Sequence, residues 1–393
     1  MTAGADGGEV WPAGLSTVLR EWGRIGITGF GGPPAHIALL RRLCVAKRGW
    51  LDAAEFEDAI AACNLLPGPA STELAIFCAW RVRGRAGAVA GGLAFIVPGL
   101  IIILFLSALF LAGAPPLWVR GAGAGAGAAV AAVAAATGWS LVPPSWKRAS
   151  AREPVRFSRV RWAFYLLAGG LAAATIGPWL VFVLLGCGLV ELVWRRVSWP
   201  AGALPVIAPL FPVLSGGLLA SVAWVAFKVG ALSFGGGFVI IPLMQADAVG
   251  RGWMTNDQFL NAVALGQITP GPVVQTVAAV GYAAAGLPGG LLAAVVAFSP
   301  SFAFVLGGGR YFSALRENRA AQSFLDGAGP AAIGAIFGAA ILLARVLSVG
   351  WQFAVLAGAA VLLLALRRGV VLTLLGAAAV GLAVAFAGGP LPH

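Results

Sequence analysis

Charge is what this sequence has least of. Asp, Glu, Lys and Arg make up 10% of its 393 residues, against roughly 25% in an ordinary soluble domain. None lies between Arg85 and Arg120, Arg120 and Lys147, or Arg161 and Glu191. The same holds from Val197 to Phe227, Gln258 to Gly309, Val346 to Leu366, and Gly369 onward. A membrane-crossing helix needs about 20 predominantly apolar residues, so each gap has room for a span and the gap from Gln258 has room for two. A soluble fold is excluded. Cysteine is also scarce: Cys44, Cys63, Cys78 and Cys187 form no C-x-x-C pair. Their apolar surroundings mark them as small core residues rather than disulfides or metal ligands. The N-terminus lacks a basic start followed by an apolar run, so no cleaved signal peptide is expected.

The formal charge of +12 does not call for nucleic acid, because the basic residues gather in short loops, as the positive-inside bias requires. The richest stretch holds Lys147, Arg148, Arg152, Arg156, Arg159 and Arg161, which places that loop in the cytoplasm.

The chain is written twice. RIGITGFGGPPAHIALL from Arg24 matches KVGALSFGGGFVIIPLM from Lys228 at a separation of 204 residues, slipping to 203 further on. Gly49-Trp50 recurs as Gly252-Trp253, Phe56 as Phe259, and Pro67-Gly68-Pro69 as Pro270-Gly271-Pro272. Asp52 to Glu55 and Thr255 to Gln258 both carry the pattern of a capping box, so a helix starts after each Gly-Trp. Each helix then meets Pro-Gly-Pro, where proline ends one helix and suits the first turn of the next. Residues 53–66 and 69–82 therefore read as two short helices around a break. Each is about 20 Å long, short of a roughly 30 Å hydrocarbon core. Gly31-Gly32-Pro33-Pro34 and Gly235-Gly236-Gly237 form a second pair of breaks.

Basic residues flank the Pro67 element on both sides, which describes a hairpin that enters and returns. The matching loops of the second half carry little charge, as opposite insertion of the halves requires. Four apolar segments follow each hairpin: 86–112, 119–143, 162–176 and 178–194, then 289–307, 327–347, 351–366 and 370–388. The expectation is an all-α polytopic membrane protein of two inverted repeats, 11–196 and 221–390, joined by a connector at 197–220.

Non-helical backbone at membrane depth is tolerated only where protein buries it or it lines a polar cavity. Breaks at matching places of inverted halves point to a transport site, and a helix that starts at a break offers free N–H groups to an anion. The alternative is tight turns between packed helices. The expected substrate-binding set is Gly31, Gly32, Asn64, Pro67, Gly68, Pro69, Ser71 and Thr72. The second half adds Gly235, Gly236, Gln267, Thr269, Pro270, Gly271, Pro272 and Gln275. Thr28, Ser233 and Thr276 are nearby polar groups of the same kind, and small polar residues also serve helix packing. Glu73 is the only charge between Asp58 and Arg81. A carboxylate there is costly unless paired or protonated, so it is a candidate for proton coupling, a counter-charge to Arg24 or Lys228, or else a cap for its own helix. Its counterpart is Thr276. Arg24 and Lys228 precede the glycine turns and either help hold an anion or snorkel to an interface. His36, whose counterpart is Ile240, is a structural group, an anion donor or a proton relay.

These motifs resemble the chromate transporter family: F-G-G-P-x-x-H-I at Phe30 to Ile37, L-P-G-P-x-x-x-E at Leu66 to Glu73, S-F-G-G-G at Ser233 to Gly237 and T-P-G-P-V at Thr269 to Val273. The match covers both halves, as in the long-chain form. The resemblance implies a multi-pass protein of the cytoplasmic membrane that exports chromate, a tetrahedral dianion similar to sulfate. It implies an electrochemical driving force, in keeping with the lack of a G-x-x-x-x-G-K-[ST] loop. A proton through Glu73, sulfate or another oxyanion taken up or exchanged instead, and a homodimer all stay open. No cofactor, metal or nucleic acid is expected. A membrane enzyme would have one internal histidine and one buried carboxylate to work with, a poor catalytic inventory. A membrane scaffold would have no use for breaks inside the bilayer.

Overall fold

The computed structural model describes residues 12–64, 66, 68–111, 115–151, 155–175, 179–195, 217–233, 239–308 and 318–392. Pro67, Gly235, Gly236 and most of the connector lie outside them. The described chain is helical. In the first copy the helices are α1 (Leu15–Thr28), α2 (Pro33–Arg41, continued by a π-helical turn), α3 (Ala53–Cys63), α4 (Ala70–Phe110), α5 (Leu117–Ser150), α6 (Val155–Thr175) and α7 (Leu180–Trp194). The second copy gives α8 (Leu218–Ala231), α9 (Ile240–Gly250), α10 (Asn256–Ile268), α11 (Thr276–Gly308, after a 3₁₀ turn), α12 (Arg319–Arg345), α13 (Gly350–Ala360, continued by a π-helical turn) and α14 (Val370–Phe386).

Local chemistry sets these boundaries. At α10 the capping box is complete: Gln258 N–H donates to Thr255 Oγ1 (3.2 Å) and Thr255 N–H to Gln258 Oε1 (2.9 Å). At α3 only half forms, with Asp52 accepting from Glu55 N–H at 2.7 Å, because the Glu55 carboxylate pairs with Arg81 instead. Pro33 and Pro34 occupy the first positions of α2, where their missing N–H groups cost nothing.

The basic stretch expected as a loop is helical at both ends. α5 runs through Lys147 and Arg148 to Ser150, and α6 starts at Val155. Cations at a helix C-terminus complement its dipole, so helix continues beyond the apolar run. α12 likewise begins eight residues before its apolar segment, because Asn318 accepts from the N–H groups of Ala320 (2.9 Å) and Ala321 (3.1 Å). α8 opens at Leu218, inside the stretch read as connector.

The repeat extends to backbone geometry. α4 is broken at Arg83 (φ −147°, ψ 29°) and Gly84 (φ 60°, ψ −153°). α11 is broken at Ala285 (φ −144°, ψ 27°) and Gly286 (φ 64°, ψ −156°). Each is thus a short arm followed by a long spanning segment. In both copies a glycine of the first helix sits on the backbone of the long one, Gly26 on Ala94 and Phe95, Gly230 on Ala297. Trp22 fastens α1 further by donating to the Ala75 carbonyl at 2.8 Å.

The long helices α4 and α11 run against each other in opposite directions: Gly92 meets Phe302, while Leu104 meets Gly290. Equivalent helices that pack antiparallel, each with the same neighbours around it, make the copies inverted. Among the described residues four helices are long and apolar enough to cross a membrane, at Ala70–Phe110, Leu117–Ser150, Val273–Gly308 and Arg319–Arg345. They form two equivalent pairs.

Around this centre the copies interlock. α5 packs on α14 through Gly121, Gly125 and Gly381, each against backbone of the other helix. α12 packs on α6 and α7 through Gly327, Gly334 and Gly338, against Cys187, Leu166 and Gly170. Such close backbone approach is how helices associate in a solvent as apolar as their side chains. Large apolar residues face outward, among them Phe105 at 69% exposure, Val295 at 70% and Val193 at 76%, forming a lipid-facing surface. Between α6, α7 and α12 charge is paired: Glu191 accepts from Arg161 (2.9 Å), Arg195 (2.7 Å) and Tyr165 (3.0 Å), and Arg195 also reaches Asp326 of α12 at 3.2 Å. The four cysteines are buried and free.

Candidate functional site

The breaks of the two copies meet. Gly29, in the turn between α1 and α2, has a carbonyl that accepts two hydrogen bonds. One comes from His36 Nε2 at 2.9 Å and the other from Gly271 N–H, in the second copy's Pro-Gly-Pro, at 3.0 Å. A carbonyl only accepts, so His36 carries its proton on Nε2, and Nδ1 of the neutral ring accepts from Ser71 Oγ at 3.3 Å. The imidazole stands edge-on to Phe95, with centroids 5.0 Å apart, and is fully buried. Gly29 makes room for it: a Cβ there would come within 2.9 Å of His36 Cδ2.

Gly68 and the second Pro-Gly-Pro each lie against the other copy's long helix. Gly68 is beside Ser301 of α11, and a Cβ on it would strike the Glu73 carboxyl group. Pro270 and Gln275 press on Gly99 of α4. Gln275 then donates from Nε2 to the Ile96 carbonyl at 2.8 Å, 179 residues away in sequence. Gly271 has φ +102°, a conformation that side chains other than glycine rarely adopt, and it aims its N–H at Gly29.

Several polar groups here are buried with no hydrogen-bond partner among the described residues: Thr72 Oγ1, both carboxyl oxygens of Glu73, Ser233 Oγ, Gln267 Nε2, Gln275 Oε1 and Ser301 Oγ. Buried polar atoms are almost always satisfied, so a group of orphans asks for an occupant. All of them lie at the glycine and Pro-Gly-Pro breaks or directly opposite. No three His, Cys, Asp or Glu residues gather as metal ligands among the described residues.

A family model described as chromate transporter matches residues 16–192 and 220–382. The chain belongs to the chromate transporter family. A chromate transport protein of Cupriavidus metallidurans is 31% identical over 342 residues, covering 84% of this chain and 83% of that protein. A probable chromate transport protein of Synechococcus elongatus is 32% identical over 351 residues, 86% of each chain. A chromate transport protein of Pseudomonas aeruginosa is 31% identical over 353 residues, covering 85% and 82%. No solved structure matches.

In this chromate transporter family member the remaining expected residues fall as follows. Gly31 and Gly32 have φ of +102° and +73° and lead into α2, and a Cβ on Gly32 would reach van der Waals distance of Val273 of the other copy. Pro69 caps α4 and accepts from the N–H groups of Thr72 (2.8 Å) and Glu73 (3.1 Å). Pro272 accepts from Gln275 N–H at 2.9 Å. Thr269 and Thr276 spend their hydroxyls on the carbonyls of Leu265 (2.6 Å) and Val273 (2.8 Å). Asn64 is exposed at the end of α3, and Arg24 and Thr28 are exposed on α1. Lys228 is paired with Asp247, which also meets Arg251 at 3.5 Å.

Ser301, Gly99, Gly29 and Ile96 escaped the sequence reading. A signal for two of them exists: Pro98-Gly99 recurs as Pro300-Ser301, 202 residues on.

Proposed function

We propose that this chain is a secondary transporter that exports chromate across the cytoplasmic membrane, binding it where the broken helices of the two copies meet. The observation that carries the proposal is the set of buried, partnerless polar atoms at those breaks, supplied by both copies. Main-chain amides and neutral hydroxyl and amide side chains hold an oxyanion without taking its charge, so it can be released again. The proposed binding set is Gly31, Gly32, Ser71, Thr72, Gln267, Gln275 and Ser301, with Gly68, Gly271 and their flanking prolines shaping the backbone. The membrane potential drives export: each negative charge leaving an inside-negative cell gains about 2.3 kcal/mol per 100 mV. Glu73 is the group through which protons join the cycle.

Chromate accumulation in sensitive cells tests this. Cells making the chain are expected to accumulate less chromate, and Gly271→Ala, which forces a side chain into a positive φ at a strain of about 1–3 kcal/mol, is expected to abolish most of that protection. Unchanged protection with both Gly271→Ala and Gly68→Ala would remove the breaks from the transport path. Sulfate or another oxyanion is the second reading, because a cradle of amides recognises shape and charge rather than the central atom. Flux of each anion in both directions separates the two.

A further inference from the structure

Glu73 is fully buried, and neither of its carboxyl oxygens meets a donor among the described residues. The side chain folds back over the start of its own helix, so that Oε1 lies against the main chain of Gly68, close enough to clash with a Cβ placed there. Ser301 Oγ, from the other copy, stands 3.4 Å from that same point and has no partner. A carboxyl oxygen thus rests where the break would receive an oxygen of its ligand. The other titratable groups around it are few. The Cys63 thiol faces it from α3, and His36 on α2 is engaged by Gly29 and Ser71. On α3, Glu55 and Glu57 are drawn off by Arg81 and Arg41. From the other copy, no Asp, Glu, Lys or Arg occurs between Gln258 and Gly309, so α11 presents only hydroxyls. Nothing on these elements balances a carboxylate held against an arriving dianion.

We infer that Glu73 is a tethered stand-in for the substrate, so that a tetrahedral oxyanion binds only as Glu73 takes up a proton, and proton and oxyanion cross the membrane together. The inference rests on the breaks being the transport site. Charges balance simply: a carboxylate, a proton and a dianion become a carboxylic acid beside a bound dianion. The loaded carrier therefore holds one net negative charge more than the empty one. A carrier in which proton and anion excluded each other would exchange them across the membrane. Here two negative groups share one place, so each ligand strengthens the other, and by linkage the factor is the same in both directions.

Sulfate is the suitable probe, because its own charge stays constant through the neutral pH range. With the purified full-length chain, sulfate affinity is expected to fall about tenfold per pH unit above the titration of Glu73. Above the titration of Glu73, calorimetry in buffers of different ionisation enthalpy is expected to report about one proton taken up per sulfate, a readout that needs no variant. Glu73→Gln, which keeps the shape of the protonated acid, is expected to bind sulfate with little pH dependence and no proton uptake. Absence of sulfate binding at every pH, pH-independent binding by the natural chain, or undiminished pH dependence in Glu73→Gln would each overturn the inference. Gln275→Leu, at the other break, separates the two levels. If it leaves sulfate binding untouched, the site itself is wrong. A natural chain flat in pH yet weakened by Gln275→Leu keeps the site and loses only the shared proton.

Discussion

Gly99 and Ser301 hold equivalent places in the two copies, and what each carries decides what its break can accommodate. Opposite Gly99, the space is filled by the Pro270 carbonyl and the Gln275 amide. Opposite Ser301, the Glu73 carboxyl group and a free hydroxyl remain. One break is lined by a side-chain amide whose oxygen is unpartnered among the described residues, while the other carries a carboxyl group and a hydroxyl. Gly99→Leu forces a branched chain into the packed break, at an overpacking cost of about 1–3 kcal/mol. A lowered thermal midpoint in detergent and loss of chromate flux are expected, whereas Gly186→Leu, with open space around its Cβ position, is expected to leave both unchanged. Glu73 was legible from sequence because a lone carboxylate in an apolar run is costly wherever it sits. Ser301 was not, since one serine in such a run costs little and acquires meaning only from what faces it. Arg24 and Lys228 are equivalent along the chain but not in their surroundings, since Arg24 is exposed and Lys228 finds Asp247.

Each long helix joins its short arm through one residue pair instead of a loop. Arg83-Gly84 and Ala285-Gly286 adopt almost the same four dihedrals, so the bend is specified by backbone conformation. The positive φ falls on glycine, with ψ in a region that is essentially glycine-only, where an L side chain would be strained by about 1–3 kcal/mol. Gly84→Ala and Gly286→Ala are therefore expected to reduce transport to similar degrees, with expression largely kept, as measured by flux in reconstituted vesicles. Unequal effects would mean that the bends serve different roles. The existence of short helices around Pro-Gly-Pro was legible, because proline and the capping patterns act locally. The ends of the short arms were legible too, at 82 and before 289, but the shared dihedrals were not: Arg83-Gly84 and Ala285-Gly286 share only the glycine.

The inverted relation of the copies rests on α4 and α11 passing in opposite directions, and it has a direct chemical test. Ala46 and Gly250 are exposed positions at the same stage of the two copies, and all four natural cysteines are buried. Ala46→Cys is expected to react with an impermeant maleimide only from the cytoplasmic side, and Gly250→Cys only from outside. Reaction of both from one side would overturn the inversion. The swap in loop charge between the halves announced this arrangement, since basic residues resist translocation. How the copies interlock was beyond the sequence, because glycines that receive another helix read the same as glycines that face lipid.

That interlock has a consequence for a chain of half this length. The helix after each hairpin, α5 or α12, is closed over by the final helices of the opposite copy. A single copy alone would leave its glycine stripes bare to lipid, with nothing to seal them. It would have to meet a twin inserted upside down before it had either an interior or a pathway. In such a molecule, assembly and competence to carry cargo would be one event.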